Sequence, residues 1–85
     1  MVDIAFQIHE GALASVRYDP LTFTRELRIA AAVKWYELGR VNQGRAAEIA
    51  GLSRVEFFDA LSRYGVSPFQ ESMEDLAAVL GPKDP

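Results

Sequence analysis

The stretch Asn42-Gln43-Gly44-Arg45-Ala46-Ala47-Glu48-Ile49-Ala50-Gly51-Leu52-Ser53-Arg54-Val55-Glu56-Phe57 spells two short helices joined by a tight turn. Asn42 suits an N-cap, and Val41 ahead of it can pack on Ala46 as a hydrophobic staple. Gly51 falls where the chain must take a left-handed backbone conformation, and Ala47, four residues earlier, leaves room for two helices to cross closely. Ser53-Arg54-Val55-Glu56 is a capping box, in which the serine hydroxyl and the glutamate carboxylate each satisfy a backbone amide that the helix leaves unpaired. Phe57, Leu61 and Tyr64 then recur at helical spacing as a buried face, and Gly65 ends the helix. Caps, turn and apolar spacing agree on a helix-turn-helix.

Working backward, Asp19-Pro20 is a start signal for a long helix, with the aspartate as N-cap and the proline in the first turn. The helix is expected from Pro20 to about Leu38, roughly 28 Å long, and to stop at Gly39. Leu27, Ala31, Trp35 and Leu38 share one face, while Ile29, Val33 and Tyr36 widen the apolar surface beyond a single stripe. One surface is expected on the helix-turn-helix and the other on a dimer mate or partner; the alternative is that both belong to this domain's own core. Arg25, Glu26, Arg28, Lys34 and Glu37 mix both signs and read as a solvated surface without chemistry.

At the N-terminal end, Val2, Ile4, Phe6 and Ile8 alternate with Asp3, Ala5, Gln7 and His9, the period of a strand with one buried face. Its partner is expected to be the stretch near Val66 to Phe69, a second copy of itself, or another protein. Gly11 to Tyr18 reads as a helical turn or loop. Beyond Gly65, Val66-Ser67-Pro68-Phe69 is expected to be extended, and Ser72-Met73-Glu74-Asp75 to open a last short helix that carries Met73, Leu76, Ala77 and Leu80 and ends at Gly81-Pro82. The expected fold is mainly α: a short N-terminal strand, a long helix, a helix-turn-helix and a short C-terminal helix. Residues 1–65 form the domain, and residues 66–85 an acidic C-terminal segment for partner binding.

With 85 residues the chain is one domain, and a domain of this size buries only roughly 60–65% of the surface its unfolded form exposes. Nothing staples it, since there is no cysteine and His9 is the only histidine, so a homodimer or a tight partner is expected. The lack of cysteine suits a reducing cytoplasm. The first ten residues are not expected to form a signal peptide, and the longest purely apolar runs, Ile29 to Val33 and Leu76 to Leu80, are far short of the roughly 20 residues that cross a bilayer. A soluble cytoplasmic protein is expected, without a membrane contact. The charge is uneven: residues 1–40 hold five basic and five acidic residues, 41–64 three and three, and 65–85 one and four, so the net charge of −3 lies in the C-terminal segment.

An enzyme is the least expected class. There is no cysteine nucleophile, no glycine-rich phosphate loop and no cluster of metal ligands, and His9 reads simply as a strand-end residue. Glu74 and Asp75 are neighbours about 100° apart on a helix and do not converge on one reacting atom. No catalytic residue, metal or cofactor is expected.

The residues available to meet DNA are Gln43, Arg45, Ser53, Arg54 and Arg63, helped by the amides at the start of the second helix. Against this, the motif region is neutral where DNA-binding surfaces are usually basic, and Glu56 and Asp59 would repel phosphate. Val55 and Phe58 fall on the side that would face the major groove, where a bulky apolar residue reads little beyond a thymine methyl, so they suggest a protein contact. A second route to DNA is a ribbon-helix-helix arrangement, with Asp3, Ala5, Gln7 and His9 outward; only Gln7 is suited to read a base.

The segments Glu26-Leu27-Arg28, Trp35 through Val41, Gly44 through Phe57 and Gly65-Val66 resemble a family of small, uncharacterised prokaryotic proteins commonly encoded beside PIN-domain nucleases and thought to be their antitoxins. The resemblance runs from about Asp19 to Leu76; Val66-Ser67-Pro68 departs from the isoleucine and proline that often follow the glycine in that family. It implies an antitoxin of a type II toxin-antitoxin pair, which inhibits a PIN-domain ribonuclease toxin through its C-terminal segment and has a helix-turn-helix able to bind its own promoter. PIN nucleases cut RNA with clustered carboxylates and a divalent metal. An acidic segment can therefore mimic phosphate charge in the RNA groove while Phe69, Met73, Leu76 and Leu80 supply apolar anchors; Phe58, on the second helix of the motif, is a separate partner-contact candidate. Two alternatives stand beside it: the last helix folds back on this domain's own core, or the chain is a stand-alone helix-turn-helix transcriptional regulator.

Overall fold

The computed structural model describes residues 1–69. They form four helices, α1 (Glu10–Ser15), α2 (Pro20–Glu37), α3 (Gln43–Ala50) and α4 (Arg54–Arg63), with no strand among the described residues. Each of the longer three starts on a side-chain cap. Asp19 accepts from the Thr22 amide at 3.3 Å, Asn42 from the Arg45 amide at 2.8 Å, and Ser53 from the Glu56 amide at 3.1 Å. The Glu56 carboxylate returns the bond to the Ser53 amide at 2.9 Å, which closes the capping box. Gly39, Gly51 and Gly65 all have positive φ, and Gly51, at 73°, turns the chain from α3 into α4.

α2 packs against both α3 and α4. Its buried residues, Ile29, Ala32, Val33 and Tyr36, recur at i, i+3, i+4 and i+7 and meet Ala46, Ala47 and Ala50 of α3, and Phe57, Ala60 and Leu61 of α4. The small α3 residues let the helices approach closely, and Phe57 and Leu61 fill the space that remains, with the Tyr36 and Phe57 rings edge to face at 6.1 Å. Val41, Ile49 and Leu52 pack partly buried around this cluster.

One surface of α2 packs on the helix-turn-helix as expected, and the face carrying Leu27, Trp35 and Leu38 lies nearly opposite it and is exposed, which corrects the alternative that both surfaces belong to this domain's own core. Other sequence expectations are corrected. Tyr64 is likewise exposed. The segment from Gly11 is helical through Ser15, in keeping with the expected helical turn or loop, but His9 is its N-cap rather than a strand end, its Nδ1 accepting from the Gly11 amide at 3.0 Å. The expected strand over Val2 to His9 is not formed among the described residues, and Val66 to Phe69, one of its expected partners, is engaged elsewhere. Val66 is buried in the core, and Pro68-Phe69 forms a turn rather than continuing extended. The last short helix falls outside the described residues.

Candidate functional site

The Pro68 carbonyl accepts two hydrogen bonds, from the Tyr36 hydroxyl at 2.9 Å and from Gln43 Nε2 at 3.1 Å. This ties the chain after α4 to α2 and to the first turn of α3. The other end of the Gln43 amide, Oε1, accepts from Arg54 Nη2 at 3.2 Å, so Gln43 links all three longer helices to the Pro68 turn. The Ser67 hydroxyl accepts from the Phe69 amide at 3.1 Å and tightens the turn.

That turn sets Phe69 beside Phe58 of α4, edge to face with ring centroids 6.4 Å apart. Both rings remain open to solvent, at 45% exposure for Phe58 and 83% for Phe69, and Val55 lies exposed one turn before Phe58. An open groove of about 440 Å³ runs alongside, between Phe58 and Ser62 on one side and Gly65 to Pro68 on the other. The site is thus an aromatic pair on a rigid helix and a clamped turn, at the point where the acidic C-terminal segment begins. Of the residues expected to bind a partner, Phe58 and Phe69 are brought together; Met73, Leu76 and Leu80 lie outside the described residues.

Of the residues expected to meet DNA, Gln43, Ser53 and Arg54 are brought together at the starts of α3 and α4, and most of the set is engaged within the chain. Gln43 is half-buried and holds Pro68, and Ser53 is occupied by its cap. Arg45 pairs with Glu48 at 2.8 Å on the exposed surface of α3, where such a pair adds little stability. Arg63 lies with its guanidinium carbon 6.0 Å from the Tyr64 ring centroid. Partial burial, then the negative charge of Glu26, hold the Tyr64 phenol above its ordinary range. Arg54 is the best placed of the set, exposed in the first turn of α4.

Arg28 is the residue that sequence reasoning missed. Its Nε donates to the Ile49 carbonyl at 2.8 Å and its Nη2 to the Glu48 carbonyl at 3.3 Å, so it caps the C-terminal end of α3 from α2. The signal available was indirect: α3 has no basic residue in its last turn to satisfy its own final carbonyls.

Among the described residues no group of three or more His, Cys, Asp or Glu side chains is placed to hold a metal ion, and no helix is long and apolar enough to cross a membrane. The fold and site define a small helical protein, a helix-turn-helix packed on one long helix with an exposed aromatic face. The chain belongs to the uncharacterised protein family UPF0175, whose sequence pattern matches residues 1–80. It is 37% identical over 73 residues to a UPF0175 protein of Aeropyrum pernix, across 86% of this chain and 76% of that one. No solved structure matches it.

Proposed function

We propose that this chain is the antitoxin of a type II toxin-antitoxin pair, a cytoplasmic protein that binds and inhibits a PIN-domain ribonuclease through the face formed by Phe58, Phe69 and the acidic segment that follows. The observation that carries this reading is the exposed Phe58–Phe69 pair, set next to a Pro68 carbonyl that Tyr36 and Gln43 both hydrogen-bond. Two aromatic rings pre-organised in water are the kind of anchor that protein interfaces bury, and ordering them in advance lowers the cost of binding. The partner's class rests on the resemblance of Asp19 to Leu76 to PIN-linked antitoxins, and on the four acidic residues against one basic in the segment from Gly65 onward. Repression of its own operon is the second part of the reading, resting on the α3-turn-α4 unit and on Arg54 at the start of α4.

The test is co-expression with the product of the adjoining reading frame, using the full chain and a chain ending at Phe69, followed by affinity capture and a ribonuclease assay. Cutting there keeps Val66 in the core and Pro68 in its clamp. The reading predicts that the full chain captures and silences a nuclease and that the shorter chain binds it more weakly. No capture by either form would overturn it and leave a stand-alone regulator as the reading to test.

A further inference from the structure

Residues 2–8 lie unpaired along the N-terminal side of the molecule, with Val2 and Ile4 each 85% exposed, Phe6 64% and Ile8 40%. These four form the apolar face of an alternating segment, and α1 and the start of α2 continue that face. Ile4, Phe6 and Ile8 together with Leu13, Pro20 and Phe23 border an open groove of about 300 Å³. Backbone groups in an extended segment are paired by a ladder, and among the described residues the other candidate, Val66 to Phe69, has Val66 buried in the core and its Pro68 carbonyl taken by Tyr36 and Gln43. A second chain can supply that ladder.

We infer that residues 2–8 of two copies of this chain pair as an antiparallel two-stranded ribbon that closes a homodimer. Self-complementarity singles out the second copy. Centred on Ala5, the antiparallel register sets Ile4 opposite Phe6 and Val2 opposite Ile8 on one face, and Ala5 opposite Ala5 and Asp3 opposite Gln7 on the other. Every apolar residue meets an apolar one, and no like charges face each other. An in-register parallel pair would set Asp3 against Asp3, and a slip by one residue would turn the apolar set of one strand to the polar face. The need is also visible in the core: five of its eleven residues among those described, Ala32, Ala46, Ala47, Ala50 and Ala60, are alanines, so each chain buries little apolar surface by itself.

The register is testable because the chain has no native cysteine. Opposed residues in an antiparallel pair have Cα atoms about 4.5–5.5 Å apart, within disulfide reach. The full chain is expected to sediment at twice the chain mass, and Ala5→Cys alone to cross-link on mild oxidation. Asp3→Cys and Gln7→Cys are each expected to cross-link poorly alone and efficiently when mixed. Ile4→Asp is expected to shift the protein to single-chain mass with its helical circular dichroism retained, since Ile4 is outside the core. Single-chain mass for the unaltered protein at high micromolar concentration would overturn the inference. So would a dimer in which Ala5→Cys stays uncross-linked, even if Ile4→Asp fails to fold.

Discussion

The Arg28 guanidinium occupies the space that a side chain at Gly51 would need: a Cβ there would lie 2.9 Å from Nη1 and 3.0 Å from Cζ. Gly51 is thus fixed twice, by its positive φ of 73° and by the arginine that crosses over it to cap α3. Gly51→Ala is expected to cost roughly 2–3 kcal/mol, about 1 of it left-handed strain and the rest lost Arg28 hydrogen bonds. In an Arg28→Ala background the same change should cost only about 1 kcal/mol, a coupling that a double-mutant cycle by urea denaturation would read. Equal costs in both backgrounds would show that Arg28 does not act on the turn.

Tyr36 carries two roles that separate by substitution. Tyr36→Phe keeps the ring on Phe57 and removes one of the two donors to the Pro68 carbonyl, so a loss of about 1 kcal/mol is expected. Tyr36→Ala also empties a buried site in a small core, and a loss of about 3–5 kcal/mol is expected, enough to unfold much of the protein at ordinary temperature. Thermal melts of the two variants check this.

Ser53 was expected to meet DNA, and its hydroxyl is instead committed to the Glu56 amide. Ser53→Ala should lower stability by about 1 kcal/mol, or roughly 4–8 °C in melting temperature, and Ser53→Asp should recover most of it. A melt unchanged by Ser53→Ala would mean that the box contributes nothing to α4.

Asp19 caps α2, and hydrogen bonding from Thr22 holds its carboxyl below the ordinary aspartate range. A carboxyl whose folded pKa is lowered contributes its stability above its unfolded pKa, about 4, and loses it as the pH falls through the lower folded value. Asp19→Asn, which caps without a charge, should therefore give a protein less sensitive to acid below about pH 4 and little changed at neutrality. Parallel acid titrations followed by circular dichroism test the difference.

The caps and turns were legible because each is set by residues close in sequence: Asp19 with Pro20, Asn42 ahead of α3, Gly51, and Ser53 with Glu56. What was not legible depends on residues far apart. Apolar residues lie on opposite sides of α2, so periodicity could not choose between the Ile29–Tyr36 stripe, which is buried, and the stripe with Trp35 and Leu38, which is exposed. Arg28 resembled any exposed charge until α3 was seen to end beneath it, 20 residues further along the chain. The alternation of residues 2–8 led to an expected strand that the described residues do not form, because a strand is a property of a pair and within the described chain that pair is missing. At the candidate site, Phe58 and Phe69 were both singled out as partner contacts, while the Tyr36–Gln43–Pro68 clamp that positions them spans 32 residues and left no local signal.

The most direct test of the proposed function is the affinity of the full chain for the product of the adjoining reading frame, which the proposal takes to be a nuclease, measured by calorimetry for the unaltered protein and for Phe58→Ala, Phe69→Ala and Arg54→Ala. The account predicts that either phenylalanine variant weakens binding at least tenfold, about 1.4 kcal/mol, with the helical fold intact, and that Arg54→Ala binds the nuclease normally while losing promoter DNA. Nuclease binding unchanged in both phenylalanine variants, or lost with Arg54→Ala, would contradict it.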